Sequence, residues 1–457
     1  MVSSEKQTMG SKHLFVLIHG LWGNHGHMKS LMEVYGKQFG SPEIVFFSPS
    51  ENALFKTFDG IEIIGYRTLL EIYQFITSFK DGPITKISVL GYSMGGLVAR
   101  FVLGKMFGEY RDLFEGIEPQ IFITMATPHL GVQFYNPRRY FFKGLLQCVM
   151  RLMGSNTIGK SGRELFVVNK YNDILVRLGK GEYLDALSKF KWRVAFANVN
   201  NDRSVAFYTG FISDCDPFIN TGNQLNYVFE EKIPGKGYTY GPPRIIDLAR
   251  LDPNSTRPLT RPQRLKNFGA LFLFFAFFGL IFLPIAFCVN ISGTIYSQLV
   301  NYRYRKMLNN AAAPDIVRRR LQFNNSVRDF TEDVYRIILG DPTESVRSPG
   351  NDGASERSDL LEDKISWREF IQKHTNTNGW KDKGKFAPLP FDENRKAMYE
   401  NLNSLEWIRI PVYIKMRNSH GAMVARRGLD TKKSGSTGIA CVEFSARLLQ
   451  HLLAHSD

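Results

Sequence analysis

Hydrophobic and polar positions alternate between short apolar runs and polar, glycine-bearing breaks through the first 200 residues. Leu14-Phe15-Val16-Leu17-Ile18, Ile84 to Leu90 and Arg193 to Val199 are short runs rich in β-branched and aromatic residues. Runs of this length without strict alternation predict strands buried on both faces, as in a parallel sheet covered by helices. The run Gly95 to Leu103 is apolar and free of proline and predicts a helix directly after the second strand. Near the end, Arg409 to Lys415 predicts a last strand and Gly438 to His455 a closing helix. The pattern as a whole predicts an α/β fold with a mostly parallel sheet.

One stretch departs from this pattern. From Phe268 to Val289 there are 22 consecutive residues without a charged or strongly polar side chain, eight of them phenylalanine. As a helix they would extend about 33 Å, enough to cross a bilayer. Basic residues flank the run on both sides, Arg257, Arg261, Arg264 and Lys266 before it and Arg303, Arg305 and Lys306 after it. Matching flanks suit a segment whose two ends lie on one face, and Pro284 offers a break for a return through Ile285 to Val300. The chain is therefore expected to divide into an α/β core over 1–260, an apolar membrane hairpin over 261–306, a helical and partly flexible insertion over 307–390, and a return to the core over 391–457.

Composition narrows the partners. The net charge is +15 over 457 residues, which suits nucleic acid or an anionic membrane. There is no zinc-finger spacing, RNP signature or other nucleic-acid motif, so a lipid surface is expected and nucleic acid is not. Cys148, Cys215, Cys288 and Cys441 have no metal spacing, and Met1 to Gln7 lacks the apolar core of a signal peptide. Neither a metal nor a cofactor is expected, and the folded core is expected to face the cytosol.

The chemistry is carried by Gly91-Tyr92-Ser93-Met94-Gly95-Gly96, which follows the Ile84 to Leu90 strand. A strand-to-helix turn tight enough to expose a serine requires small residues two before and two after it, and Gly91 and Gly95 supply them. Ser93 is thus the candidate nucleophile, at the positive end of a helix dipole. Acyl transfer further needs a base, a carboxylate to orient it, and amides for the oxyanion. Asp202 follows the strand Arg193 to Val199 and is the candidate carboxylate, against an ordinary turn role; Asp214 and Asp216 lie further past the strand. His420 follows the last strand and is the candidate base, ahead of His129, His374 and His451. His19-Gly20-Leu21-Trp22-Gly23 after the first strand is an oxyanion-type loop, so the amides of Leu21 and Met94 are the expected donors, with His19 shaping the loop.

These stretches resemble the serine esterase family of fungal lipases, particularly its phospholipases of lipid droplets. The resemblance rests on His13 to Asn24, Val89 to Arg100, Thr124 to Gly131, Ser161 to Phe166, Asn201 to Thr209 and Ser419 to Arg426. It implies an α/β-hydrolase fold and a Ser-Asp-His triad on Ser93, Asp202 and His420. It also implies phospholipid substrates and work at a lipid droplet, with the endoplasmic reticulum membrane as the alternative. One departure is Ala206, where the family pattern leads us to expect proline after Val205. Because Ser93 and Asp202 precede the apolar run and His420 follows it, a single crossing would separate the base from the nucleophile; a hairpin would not. The expected function is a serine phospholipase or lipase. Open alternatives are a lipase for acylglycerols or sterol esters, an acyltransferase, and an inactive lipid-surface tether.

Overall fold

The computed structural model describes residues 10–133, 135, 158–167, 174–200, 202–219, 225–252, 255, 288, 291–292, 295, 299, 365–375 and 386–455. The chain divides into two compact units, 1–299 together with 365–457, and 300–364; all the architecture below belongs to the first. Three further stretches lie outside the described residues: Tyr140 to Met153, whose basic amphipathic pattern suits a lid or a cap helix; Ala311 to Leu339, whose helical spacing suits a membrane surface or packing on the core; and Asp341 to Asp359, polar and proline-bearing like a linker.

Six strands form one sheet: β1 Lys12–Ile18, β2 Ile44–Phe47, β3 Ile84–Tyr92, β4 Glu118–Met125, β5 Trp192–Asn198 and β6 Ile408–Val412. Their order is β2-β1-β3-β4-β5-β6, and every neighbouring pair is parallel. The connecting helices used below are α1 Lys29–Phe39, α2 Ile61–Ser78, α3 Met94–Phe107, α4 Gly159–Leu165, α5 Glu182–Ser188, α6 Phe207–Phe211, α7 Trp367–Thr375, α8 Glu393–Asn403, α9 Ser419–Ala422 and α10 Ser436–Ala454.

The period of two along each strand sorts its side chains into two cores. On one face Leu14, Val16 and Ile18 of β1 and Ile87 and Val89 of β3 pack with α2, α3 and α5, and with Met398 and Leu402 of α8. On the other, Phe15, Leu17, Leu90 and Tyr92 pack with Leu31 and Tyr35 of α1, Phe370 of α7, and Cys441, Phe444, Leu448 and Leu452 of α10. Both faces are covered, which is why these strands read as continuous apolar runs. The α/β class and the largely parallel sheet stand as expected from the pattern.

The membrane-anchoring hairpin is corrected. Among the described residues no helix is long and apolar enough to cross a membrane. Of 261–306, Cys288, Ile291, Ser292, Ile295 and Leu299 are described; they are helical and exposed, and the remaining positions lie outside the described residues. A run of apolar side chains expresses a preference for leaving water. A span also demands about 20 residues of uninterrupted helix, and hydropathy does not encode that continuity.

Candidate active site

Ser93 sits where β3 ends and α3 begins, with φ 55° and ψ −130°. A positive φ is uncommon outside glycine and marks a site that its surroundings hold in place. The Ser93 amide donates to the Met125 carbonyl at 2.8 Å, tying the turn to the end of β4. The flanking glycines are sterically required. A Cβ on Gly91 would lie 2.2 Å from the Gly96 Cα, and one on Gly95 would lie 2.2 Å from the Ile18 carbonyl oxygen.

His420 lies in α9, shortly after β6, and its ring bridges the other two predicted residues. Its Nε2 is 3.0 Å from Ser93 Oγ and its Nδ1 is 2.8 Å from Asp202 Oδ2. A carboxylate only accepts, so Nδ1 carries the proton, Nε2 is left as an acceptor, and the Ser93 hydroxyl donates to it. The Asp202 side chain is almost fully buried, 3% exposed against 13% for that of His420. Its second oxygen, Oδ1, accepts from the amides of Ser204 and Val205, both at 2.9 Å. The turn role and the orienting contact therefore coexist, one on each oxygen.

Ala206, where the sequence departs from the expected proline, has φ −68° and ψ 153°. That φ is the one proline would fix, so alanine here holds a backbone conformation that proline would also accept.

Of the two expected oxyanion donors, Met94 directly follows Ser93 and Leu21 stands in the loop after β1. Met94 opens α3, where a helix amide has no intrahelical acceptor. Leu21 follows Gly20, whose position is so close to Ser93 that an added Cβ would stand 2.6 Å from the serine Cβ. The neighbouring His19 donates from Nδ1 to the Gly20 carbonyl at 3.0 Å. Burial pushes its pKa down to about 4, so it is neutral at pH 7 and shapes the loop.

The other rivals are held elsewhere. His129 is fully buried, with Nε2 3.0 Å from Thr124 Oγ1, and burial beside Arg100 holds its pKa well below the ordinary value. His374 pairs with the Arg409 carbonyl at 3.1 Å from α7. Asp216 spends its two oxygens on the amides of Tyr208 and Phe218, and burial raises its carboxyl to about 6.

Two groups escaped the sequence. The Tyr92 hydroxyl donates to the His420 carbonyl at 3.1 Å, and its ring centroid stands 5.0 Å from the imidazole. Burial lifts the phenol well above its ordinary pKa, so it remains a donor. Position x of G-x-S-x-G accepts many residues, so nothing marked this tyrosine. Thr57, which contacts the oxyanion-type loop, belongs to no motif at all. Among the described residues there is no group of three or more His, Cys, Asp or Glu able to hold a metal ion.

Residues 8–217 match the family described as "Putative serine esterase (DUF676)". Over that stretch the chain is serine-esterase-like. It is 31% identical over 204 residues to "Putative lipase ROG1" of Saccharomyces cerevisiae, covering 43% of this chain and 28% of that protein. It is 31% identical over 212 residues to "Putative lipase C4A8.10" of Schizosaccharomyces pombe, covering 44% of this chain and 26% of the other. The chain thus spans less than a third of the length of these fungal relatives. Ser93 and Asp202 fall inside the matched 8–217 stretch, and His420 falls outside it.

Proposed function

We propose that this protein is a serine carboxylic-ester hydrolase of the lipase type, acting on acyl esters of glycerophospholipids at a lipid surface. The observation that carries this is the imidazole of His420 within hydrogen-bond reach of both Ser93 Oγ and Asp202 Oδ2, at 3.0 and 2.8 Å. The names of the fungal relatives and the resemblance of the sequence support a lipid ester as the substrate class.

In this mechanism the Ser93 oxygen attacks the ester carbonyl carbon while Nε2 of His420 takes the hydroxyl proton. The negative oxygen of the tetrahedral intermediate is held by the amides of Leu21 and Met94, at the positive end of α3. The intermediate collapses as His420 returns the proton to the leaving alcohol, giving an acyl-Ser93 ester. Water then attacks this ester, again through His420, and releases the free acid. Asp202 keeps Nδ1 protonated and stabilises the imidazolium that forms in each half. We assign the catalytic core to residues 1–260 and 391–457, with the lipid droplet as the favoured surface.

The test is a panel of purified phospholipids and glycerides, with products analysed for free fatty acid. Free acid from phospholipid, absent with Ser93→Ala, is expected. Release from acylglycerols alone would replace the substrate, and transfer to an added alcohol with no free acid would make the protein an acyltransferase.

A further inference from the structure

A short 3-10 segment, Leu54–Phe58, lies between the oxyanion-type loop and α4 and is bonded to both. On the loop side, the Trp22 amide donates to Thr57 Oγ1 at 3.0 Å, and the Leu54 amide donates to the Gly23 carbonyl at 3.0 Å. The Thr57 hydroxyl in turn donates to the Leu54 carbonyl. Trp22 has φ 55°, and its ring meets Phe55 at 4.8 Å and Phe58 at 5.1 Å between centroids. A left-handed tryptophan costs on the order of 1–3 kcal/mol and persists only where neighbours fix it. Here they are Thr57 behind the backbone and two aromatic rings against the side chain.

On the far side the segment is fixed to α4. Ser161 Oγ donates to the Thr57 carbonyl at 2.7 Å and accepts from the Gly60 amide at 3.0 Å, while Glu164 Oε2 accepts from the Ile61 amide at 2.7 Å. Thr57, Ser161 and Glu164 are all buried. The result is an unbroken line of contacts from α4 through Thr57 to Trp22, whose amide adjoins that of Leu21.

We propose that Thr57 is a positioning residue for the oxyanion site, with Ser161 and Glu164 holding it from behind. This rests on the hydrolase reading above, in which the Leu21 amide receives the oxyanion. Such donors act at 2.7–3.1 Å from the oxygen that develops charge, so a small rotation of the loop weakens the tetrahedral intermediate more than the bound ester. The buried threonine hydroxyl sets that rotation by accepting from the next amide along.

The experiment compares Thr57→Val, which keeps the shape and removes the hydroxyl, with Thr57→Ser, which keeps it. With a soluble short-chain ester, Thr57→Val is expected to lower kcat about tenfold or more with KM within about twofold. Affinity for a trifluoromethyl ketone, which forms the tetrahedral adduct, should fall in proportion. Thr57→Ser should retain both to within about threefold. Unchanged kcat in Thr57→Val, a fall in kcat without a fall in ketone affinity, or a Ser variant as impaired as the Val variant would overturn the proposal. Circular dichroism checks folding, and if Thr57→Val does not fold, Ser161→Ala carries the same readouts from the far end. Ser93→Ala separates the two levels: activity surviving in it removes the hydrolase reading, whereas its loss with Thr57→Val unaffected removes only the positioning role.

Discussion

At the scale of single residues, the site depends on side chains whose two ends do different work. Asp202 spends one oxygen on the backbone of its own loop and offers the other to His420, so it arrives already oriented. Asp216 has no oxygen to spare. Asp202→Asn is therefore expected to lower kcat by about 10³- to 10⁴-fold, because an amide nitrogen facing Nδ1 selects the wrong tautomer. Asp216→Asn should keep hydrolysis within a few fold and change stability instead. Burial raises the Asp216 pKa from 3.8 to about 6, so between those values the folded protein holds a proton that the unfolded chain releases. Its contribution to stability is greatest at low pH and is lost as pH rises through that window. Denaturant unfolding at pH 4, 5 and 6 should show a smaller loss with pH in Asp216→Asn than in wild type.

At the scale of elements, the β3–α3 turn is where sequence and geometry agree most fully. Its glycines are dictated by contact with backbone, which cannot move aside as a side chain can: Gly96 Cα opposite Gly91, and the Ile18 carbonyl opposite Gly95. Gly91→Ala is expected to lower stability by at least about 2 kcal/mol and hydrolysis by at least about a hundredfold, as thermal melts and ester turnover would register. This turn was legible because its requirement is local, one residue type at one spacing. The brace of Thr57, Ser161 and Glu164 was not, since its members are about a hundred positions apart and meet only after α4 docks. Tyr92 was hidden for another reason: its contact is with a backbone carbonyl, which no sequence pattern at position 420 announces.

At the scale of the whole molecule, the sheet order explains how residues 327 positions apart meet. All six strands run parallel, so the loops at their carboxyl ends gather on one edge. Leu21 follows β1, Ser93 follows β3, Asp202 follows β5 and His420 follows β6. The apolar strand runs foretold a sheet covered on both faces, and the two buried cores bear this out. The long apolar run misled at this same scale. Hydropathy reports what a segment avoids, whereas an anchor is defined by continuous helix, and none of the required length and apolarity occurs among the described residues.

The central claim is that Ser93 is the nucleophile, and peptide mass spectrometry after treatment with a fluorophosphonate tests it most directly. The predicted result is one phosphonyl adduct, on the peptide containing Ser93, absent from Ser93→Ala and formed far more slowly in His420→Ala. An adduct on a different residue, or labelling that persists in Ser93→Ala, would contradict it.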